Sequence, residues 1–216
     1  MEINLKPGTP GRLYKGGLGR IGVLMGGPSS EREISLKSGK AVFEAFTQAG
    51  IEAVVIEIKT DGLEENISLI RSFDIDCAFI ALHGQFGEDG QIQGLLEILN
   101  IPYTGSAVLA SRLAMDKAAS HKIFKEGGLN VPRQAVLSKT NYPDQRVDYF
   151  SLGFPLVVKP AMQGSSLGLS IIERKEDLDE AIELAFKFDE RVIIEEYLRG
   201  RELTVGILDD KALPLI

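Results

Sequence analysis

From Ile21 onward, short apolar runs alternate with amphipathic stretches, and that alternation limits the chain to a layered α/β fold. IGVLM, which ends at Gly26-Gly27, AVVIEI and CAFIAL are short and nearly continuously apolar, as strands buried on both faces are. The segments between them read as helices. Ser30-Glu31-Arg32-Glu33 has capping-box spacing, which predicts Ser30 as the cap with Glu33 folding back to it. The helix that follows is expected to bury Ile34, Ala41, Val42, Ala45, Phe46 and Ala49, and to stop at Gly50. Further helices are expected near 62–72 and over QIQGLLEIL, and IPYTGS reads as a short strand and turn. This order predicts an open parallel sheet with helices on both sides.

The second half changes style. After a helix-rich stretch over 106–127 come VPRQAVL, a polar loop at 138–149, and the strand FPLVVKP. A Gly/Ser-rich loop then leads into LSIIE, so this pair is expected to be antiparallel. KEDLDEAIELAFKF is amphipathic with acids in its first turn, as the helix dipole prefers. RVIIEEYL and ELTVGIL read as strands, and Asp209-Asp210 as a hairpin turn before KALPLI.

Composition excludes several function classes. With 44% hydrophobic and 25% charged residues the chain is of ordinary globular type, and its net charge of -7 argues against a general nucleic-acid surface. Cys77 is the only cysteine, which rules out an intrachain disulfide and a cysteine-based zinc site; within CAFIAL it is expected to be a buried, inert thiol. No apolar run approaches the ~20 residues of a spanning helix. Residues 1–20 have no signal-peptide core and are expected to form a flexible tail on a cytoplasmic protein.

Two phosphate-binding strings are excluded by context. GLGRIG precedes the first strand, whereas a dinucleotide fingerprint follows one, and no GxxxxGK[ST] is present. The loop QGSSLG at 163–168 is more informative. Its glycines let backbone amides converge on an anion, its serines add donors, and Lys159 just before it adds a positive charge. A plain hairpin turn beside an exposed lysine explains the same string equally well. Two other loops, GGPSSEREISLKSG and HGQFGEDGQIQG, place polar residues after apolar strands, where open α/β sheets bind ligands. Singly, Glu31 reads as a helix-dipole acid, His83 as a bonded loop histidine, and Gly87, Asp89 and Gly90 as turn residues.

Taken together, GGPSSEREISLKSG, HGQFGEDGQIQGLLE, IPYTGS, Met115-Asp116-Lys117, FPLVVKPAMQGSSLG and IIEEYLRGRELTVG in this order resemble the D-alanine–D-alanine ligases of the ATP-grasp superfamily. The resemblance runs from Ile21 to the last residues. It implies a Rossmann-like N-terminal domain over 21–112, an α+β ATP-grasp subdomain over 113–198, and the start of a C-terminal domain at 199–216. Lys117 and Lys159 would contact ATP phosphates, with Ser165 and Ser166 in the loop that closes over them and Ser165 also near the substrate. Glu195, Glu196 and Leu198 would border the adenine, and Glu202 would take the ribose hydroxyls. Glu31 would hold the ammonium of the first D-alanine, with His83 by its carboxylate.

The family passes the γ-phosphate of ATP to the carboxylate of one D-alanine, and the amine of a second attacks the acyl phosphate. Such a reaction needs positioning and charge neutralisation rather than an enzyme nucleophile. Family members continue past Ile216, and the part absent here would carry the Mg²⁺ ligands, an oxyanion arginine and a covering tyrosine loop. The chain is therefore expected to be an incomplete enzyme of peptidoglycan synthesis without turnover of its own, and the enzyme a homodimer. A D-alanyl-D-lactate or D-alanyl-D-serine ligase is the nearest alternative, and a non-catalytic nucleotide- or partner-binding fragment the alternative of another class.

Overall fold

In the computed structural model, which describes residues 19–142, 149–208 and 210–216, the apolar runs of the first half pair in parallel, as burial on both faces requires. The expected tail up to residue 18, residues 143–148 of the loop 138–149 and Asp209 lie outside the described residues. Packing divides the chain into two compact units. The first takes in the described residues up to Ile123 together with Met162–Gly164, and the second Phe124–Ala161 and Ser165–Ile216.

The first unit runs β1 (Ile21–Gly26), α1 (Arg32–Gln48), β2 (Ala53–Ile58), α2 (Leu63–Arg71), β3 (Cys77–Ile80), α3 (Gln91–Ile98) and α4 (Val108–Met115), with α5 starting at Lys117. Its sheet has the order β2-β1-β3, with Ile21 opposite both Ala53 and Cys77, and Tyr103 of IPYTGS adds a parallel bridge to Ala78. Strand alternation sends Leu24, Ile56, Ile58 and Ala78 to one face, where Ile70 of α2 and Ile92, Leu95 and Leu96 of α3 cover them. Val23, Met25 and Ala81 take the other face against Leu36, Val42, Phe43 and Phe46 of α1.

Two expectations for α1 are corrected. The cap residue is Glu31 rather than Ser30, and its side chain makes no cap hydrogen bond, so the expected Ser30–Glu33 box does not form. The inward face is also rotated: Ile34 is 56% exposed and Ala41, Ala45 and Ala49 face solvent, while Ser35 and Gly39 are buried. The cause is close packing at Gly39, where an added Cβ would stand 2.5 Å from Met25 Cβ. The helix lies nearest the sheet along its small residues rather than along its alanines. Cys77 is only half-buried; that burial, and then the Asp76 charge, raise its thiol pKa.

The second unit contains β4 (Gln134–Ser138), β5 (Leu156–Pro160), β6 (Ser170–Ile172), α6 (Leu178–Ala185), β7 (Arg191–Glu196) and the hairpin β8 (Val205–Leu208)–β9 (Lys211–Leu215). Its main sheet is antiparallel in the order β4-β7-β5-β6, and the β5–β6 pair is the expected one. Leu156, Val158, Val192 and Ile194 pack under Leu178, Ile182 and Ala185 of α6. Period-two alternation therefore puts Val157, Lys159, Ile193 and Glu195 together on the opposite face. Among the described residues no helix is long and apolar enough to cross a membrane.

Candidate functional site

In the first unit the loops after β1 and β3 lie at the C-terminal ends of adjacent parallel strands, and small polar side chains bind them together. Ser35 Oγ accepts the Gly26 N–H at 2.9 Å and donates to the Ala81 carbonyl at 2.7 Å, joining both strand ends from within α1. Ser29 Oγ donates to the His83 carbonyl at 2.7 Å and accepts the Glu31 N–H at 3.2 Å. Arg32 donates to the carbonyls of Gly27 at 3.1 Å and Ile58 at 2.9 Å, and pairs with Glu57. The bonds from Ser29 to His83, from Ser35 to Ala81 and from Arg32 to Glu57 and Ile58 are not visible in the sequence, because those partners are far away along it.

This bracing brings Glu31 and His83 into one neighbourhood. Glu31 lies directly over Gly84: a Cβ there would stand 2.4 Å from Glu31 Oε2, and Gly84 has φ +69°. Only glycine meets both demands. The His83 ring is held on both sides, with Nε2 2.9 Å from Ser38 Oγ and Nδ1 3.5 Å from Glu88 Oε1. A cavity of about 30 Å³, lined by Ser29, Ser30, Glu31, Gly84, Gln163 and Gly164 among others, opens beside the carboxylate. Asp89, by contrast, is a loop fastener, since it accepts the N–H groups of Phe86 and Gln91 at 3.0 and 3.1 Å.

Lys117 begins α5 and donates to the carbonyl of Gln163. The residue before it, Asp116, accepts the N–H groups of Ala118 and Ala119 at 3.1 Å, as an N-cap does.

In the second unit Lys159 Nζ stands 2.5 Å from Glu195 Oε1. The two are diagonal neighbours, for Lys159 is opposite Ile193 and Glu195 opposite Val157. Their side chains are 20% and 13% exposed, so most of this ion pair is removed from water. The loop after β5 then takes an uncommon path: Ser165 and Ser166, both exposed, have φ of 51° and 58°. The left-handed region costs a non-glycine residue roughly 1 kcal/mol or more. Two glycines here would relieve that cost, so serine hydroxyls are kept at a conformational expense. Gly168 closes the loop against Phe188 and Pro160, where a Cβ would approach to 2.6 and 3.0 Å.

Glu196, next to Glu195, points to the other face of β7. Its carboxylate accepts Arg133 N–H at 2.8 Å and Arg133 Nε at 2.9 Å, while the Arg133 guanidinium reaches on to the carbonyls of Ser151 and Leu152. Those N–H groups, the backbone one first, hold the Glu196 carboxyl below the usual carboxylate range. The side chain is thus engaged in fastening β7 to the turn at 149–152. Leu198 is 64% exposed and Glu202 is exposed on the segment before β8. Among the described residues no three His, Cys, Asp or Glu side chains come together as a metal site, so these residues do not fit a Mg²⁺ cage. Of the residues singled out from the sequence, the structure joins Glu31 with His83 in one unit and Lys159 with Glu195 in the other.

The chain as a whole is similar to known proteins. Residues 63–106 match the family described as "D-ala D-ala ligase N-terminus", and residues 123–215 the one described as "D-ala D-ala ligase C-terminus". A D-alanine–D-alanine ligase of Geobacter sulfurreducens is 47% identical over 197 residues, covering 91% of this chain and 60% of the relative. The crystal structure of the Bacillus anthracis D-alanine–D-alanine ligase complexed with ATP matches with a TM-score of 0.81 and 40% identity, over 91% of this chain and 65% of that one. The VanG D-Ala:D-Ser ligase of Enterococcus faecalis matches with a TM-score of 0.73 and 33% identity, over 91% and 67%. The chain therefore spans 60–67% of the length of these relatives.

Proposed function

The chain belongs to the D-alanine–D-alanine ligase family, and from that premise we propose that it carries the first D-alanine site and much of the ATP site of an enzyme that joins two D-alanines. In this reading Glu31 takes the ammonium of the first D-alanine, and His83 sits by its carboxylate. Lys159, Lys117 and the loop of Ser165 and Ser166 take the phosphates, the end of β7 at Glu195 to Leu198 borders the adenine, and Glu202 takes the ribose.

The chemistry assigns each group a task. A carboxylate oxygen of the first D-alanine attacks the γ-phosphorus as the bond to ADP breaks, giving an acyl phosphate. The amine of the second D-alanine then attacks the acyl carbon, phosphate departs, and the amine proton is lost. Glu31 holds the first substrate by its ammonium, away from the reacting end, so its contribution is orientation. Lys159 and Lys117 neutralise phosphate charge that shifts during transfer. Mg²⁺ would accompany ATP, held by residues other than those described. The enzyme would work in the cytoplasm as a homodimer and supply the dipeptide for peptidoglycan synthesis.

The observation that carries this reading is the loop at 165–168, held in a strained path directly after the strand that presents Lys159. Curated relatives at 47–48% identity bear the D-alanine–D-alanine name, against 33% for the D-Ala:D-Ser enzyme, which favours D-alanine as the second substrate. A test is to join residues 21–216 to the C-terminal remainder of the Geobacter relative and follow products by mass spectrometry. One D-alanyl-D-alanine and one phosphate per ATP consumed are expected. A folded hybrid that hydrolyses ATP without making dipeptide, or binds neither substrate, would overturn the assignment.

A further inference from the structure

The proposed function sets His83 beside a substrate carboxylate, yet only one of its ring nitrogens is left open to a ligand. Nε2 is taken by the protein, since it stands 2.9 Å from Ser38 Oγ of α1. Ser38 is itself firmly placed. Three residues before it, Ser35 donates to the Ala81 carbonyl, close along the chain to His83. One residue after it, Gly39 lies so near the sheet that an added Cβ would stand 2.5 Å from Met25 Cβ. Nδ1 is freer. Its neighbour is Glu88 Oε1 at 3.5 Å, longer than a good hydrogen bond, and the two side chains are 33% and 51% exposed.

Which nitrogen of a neutral imidazole carries the proton is set by the bond that the other one makes. Ser38 has one hydroxyl proton and two acceptors for it, His83 Nε2 at 2.9 Å and the Ser35 carbonyl at 3.2 Å. If the carbonyl takes it, Nε2 must carry the ring proton. The Nδ1 lone pair then faces the Glu88 carboxylate, and would face a substrate carboxylate in the same way. If Nε2 takes it, Nδ1 carries the ring proton and offers a donor to either carboxylate. This second arrangement has the shorter bond and sets no lone pairs against each other. Resting on the reading that puts His83 by the D-alanine carboxylate, we propose that Ser38 is the positioning residue of that site. Its hydroxyl keeps Nε2 an acceptor, and so makes Nδ1–H the donor to the carboxylate of the first D-alanine. Glu88 holds the place of that carboxylate until the substrate arrives.

The chain has only two histidines, so proton–nitrogen correlation spectra of the imidazole rings read the tautomer directly. They are taken on the 216-residue chain at about pH 9, above the range in which an ordinary imidazole is protonated, with His121→Gln identifying the His83 signals. Wild type is expected to show the Nδ1–H tautomer. Ser38→Ala should move the ring to Nε2–H or to a mixture, and weaken D-alanine, titrated at the same pH, about tenfold. Ser38→Thr keeps the hydroxyl and should restore both, and Glu88→Gln should keep Nδ1–H. In the completed enzyme Ser38→Ala should raise KM for the first D-alanine and leave KM for ATP in place. A wild-type ring in the Nε2–H form overturns the proposal without any variant having to fold. So does a tautomer that Ser38→Ala leaves unchanged, or one that changes while D-alanine binds as before. His83→Ala separates these failures from that of the broader reading. If it weakens D-alanine, His83 keeps its place at the site whatever Ser38 does. If it binds D-alanine as wild type does, or wild type binds none, the reading of His83 fails and the proposal with it.

Discussion

Lys159→Met in the completed enzyme is expected to lower kcat/KM for ATP at least about a hundredfold, or roughly 2.7 kcal/mol. The loss should appear in kcat as well as in KM, because the lysine meets phosphate charge that changes on the way to the transition state. Initial rates against ATP at saturating D-alanine measure it. The structure adds a complication that an exposed lysine would not bring. Removing Lys159 strands the Glu195 carboxylate, at a cost in stability of about 1–3 kcal/mol, toward the low end for buried pairs because both side chains keep some solvent. The double variant Lys159→Met/Glu195→Gln removes that cost and is expected to recover the melting temperature without recovering turnover. Recovered turnover would mean that the single variant failed by unfolding and that Lys159 has no part in the site.

For Glu31→Gln the expected loss is confined to D-alanine. A carboxylate facing a substrate ammonium in a partly closed site contributes roughly 2–4 kcal/mol, so KM for the first D-alanine should rise about 30- to 1000-fold while KM for ATP changes little. Stability should hardly move. Glu31 is the cap residue of α1 but makes no side-chain cap bond, and as a dipole acid it contributes under about 1 kcal/mol. The two explanations thus separate cleanly. D-alanine kinetics unchanged by the substitution would reduce Glu31 to an acid at a helix end.

What the sequence made legible follows from periodicity. The order of strands and helices, the parallel first sheet and the β5–β6 hairpin all follow from apolar runs and glycine-bearing turns, and those signals are local. The inward face of α1 was not legible, since Ser35 and Gly39 carry no hydrophobic signal yet lie against the sheet because they are small. The braces at Ser29, Arg32 and Arg133 were also hidden: Arg133 meets Glu196 from 63 positions away, and no local pattern announces that. Glu195 and Glu196 are a different case. Adjacent residues of a strand face opposite ways, so one of two neighbouring glutamates had to leave the Lys159 face, and the period of two contains that fact.

We propose that Glu31 and His83 recognise D-alanine, and that Lys159 and the loop of Ser165 and Ser166 recognise the ATP phosphates. This is tested most directly by adding the two ligands in turn to the ¹⁵N-labelled chain and following its amide resonances. D-alanine is expected to shift the amides at Ser29 to Glu31 and His83 to Gln85, and L-alanine to leave them in place. ATP is expected to shift those at Lys159 and from Ser165 to Gly168. Shifts by both ligands at one common set of residues, or by neither at its own, would contradict the account.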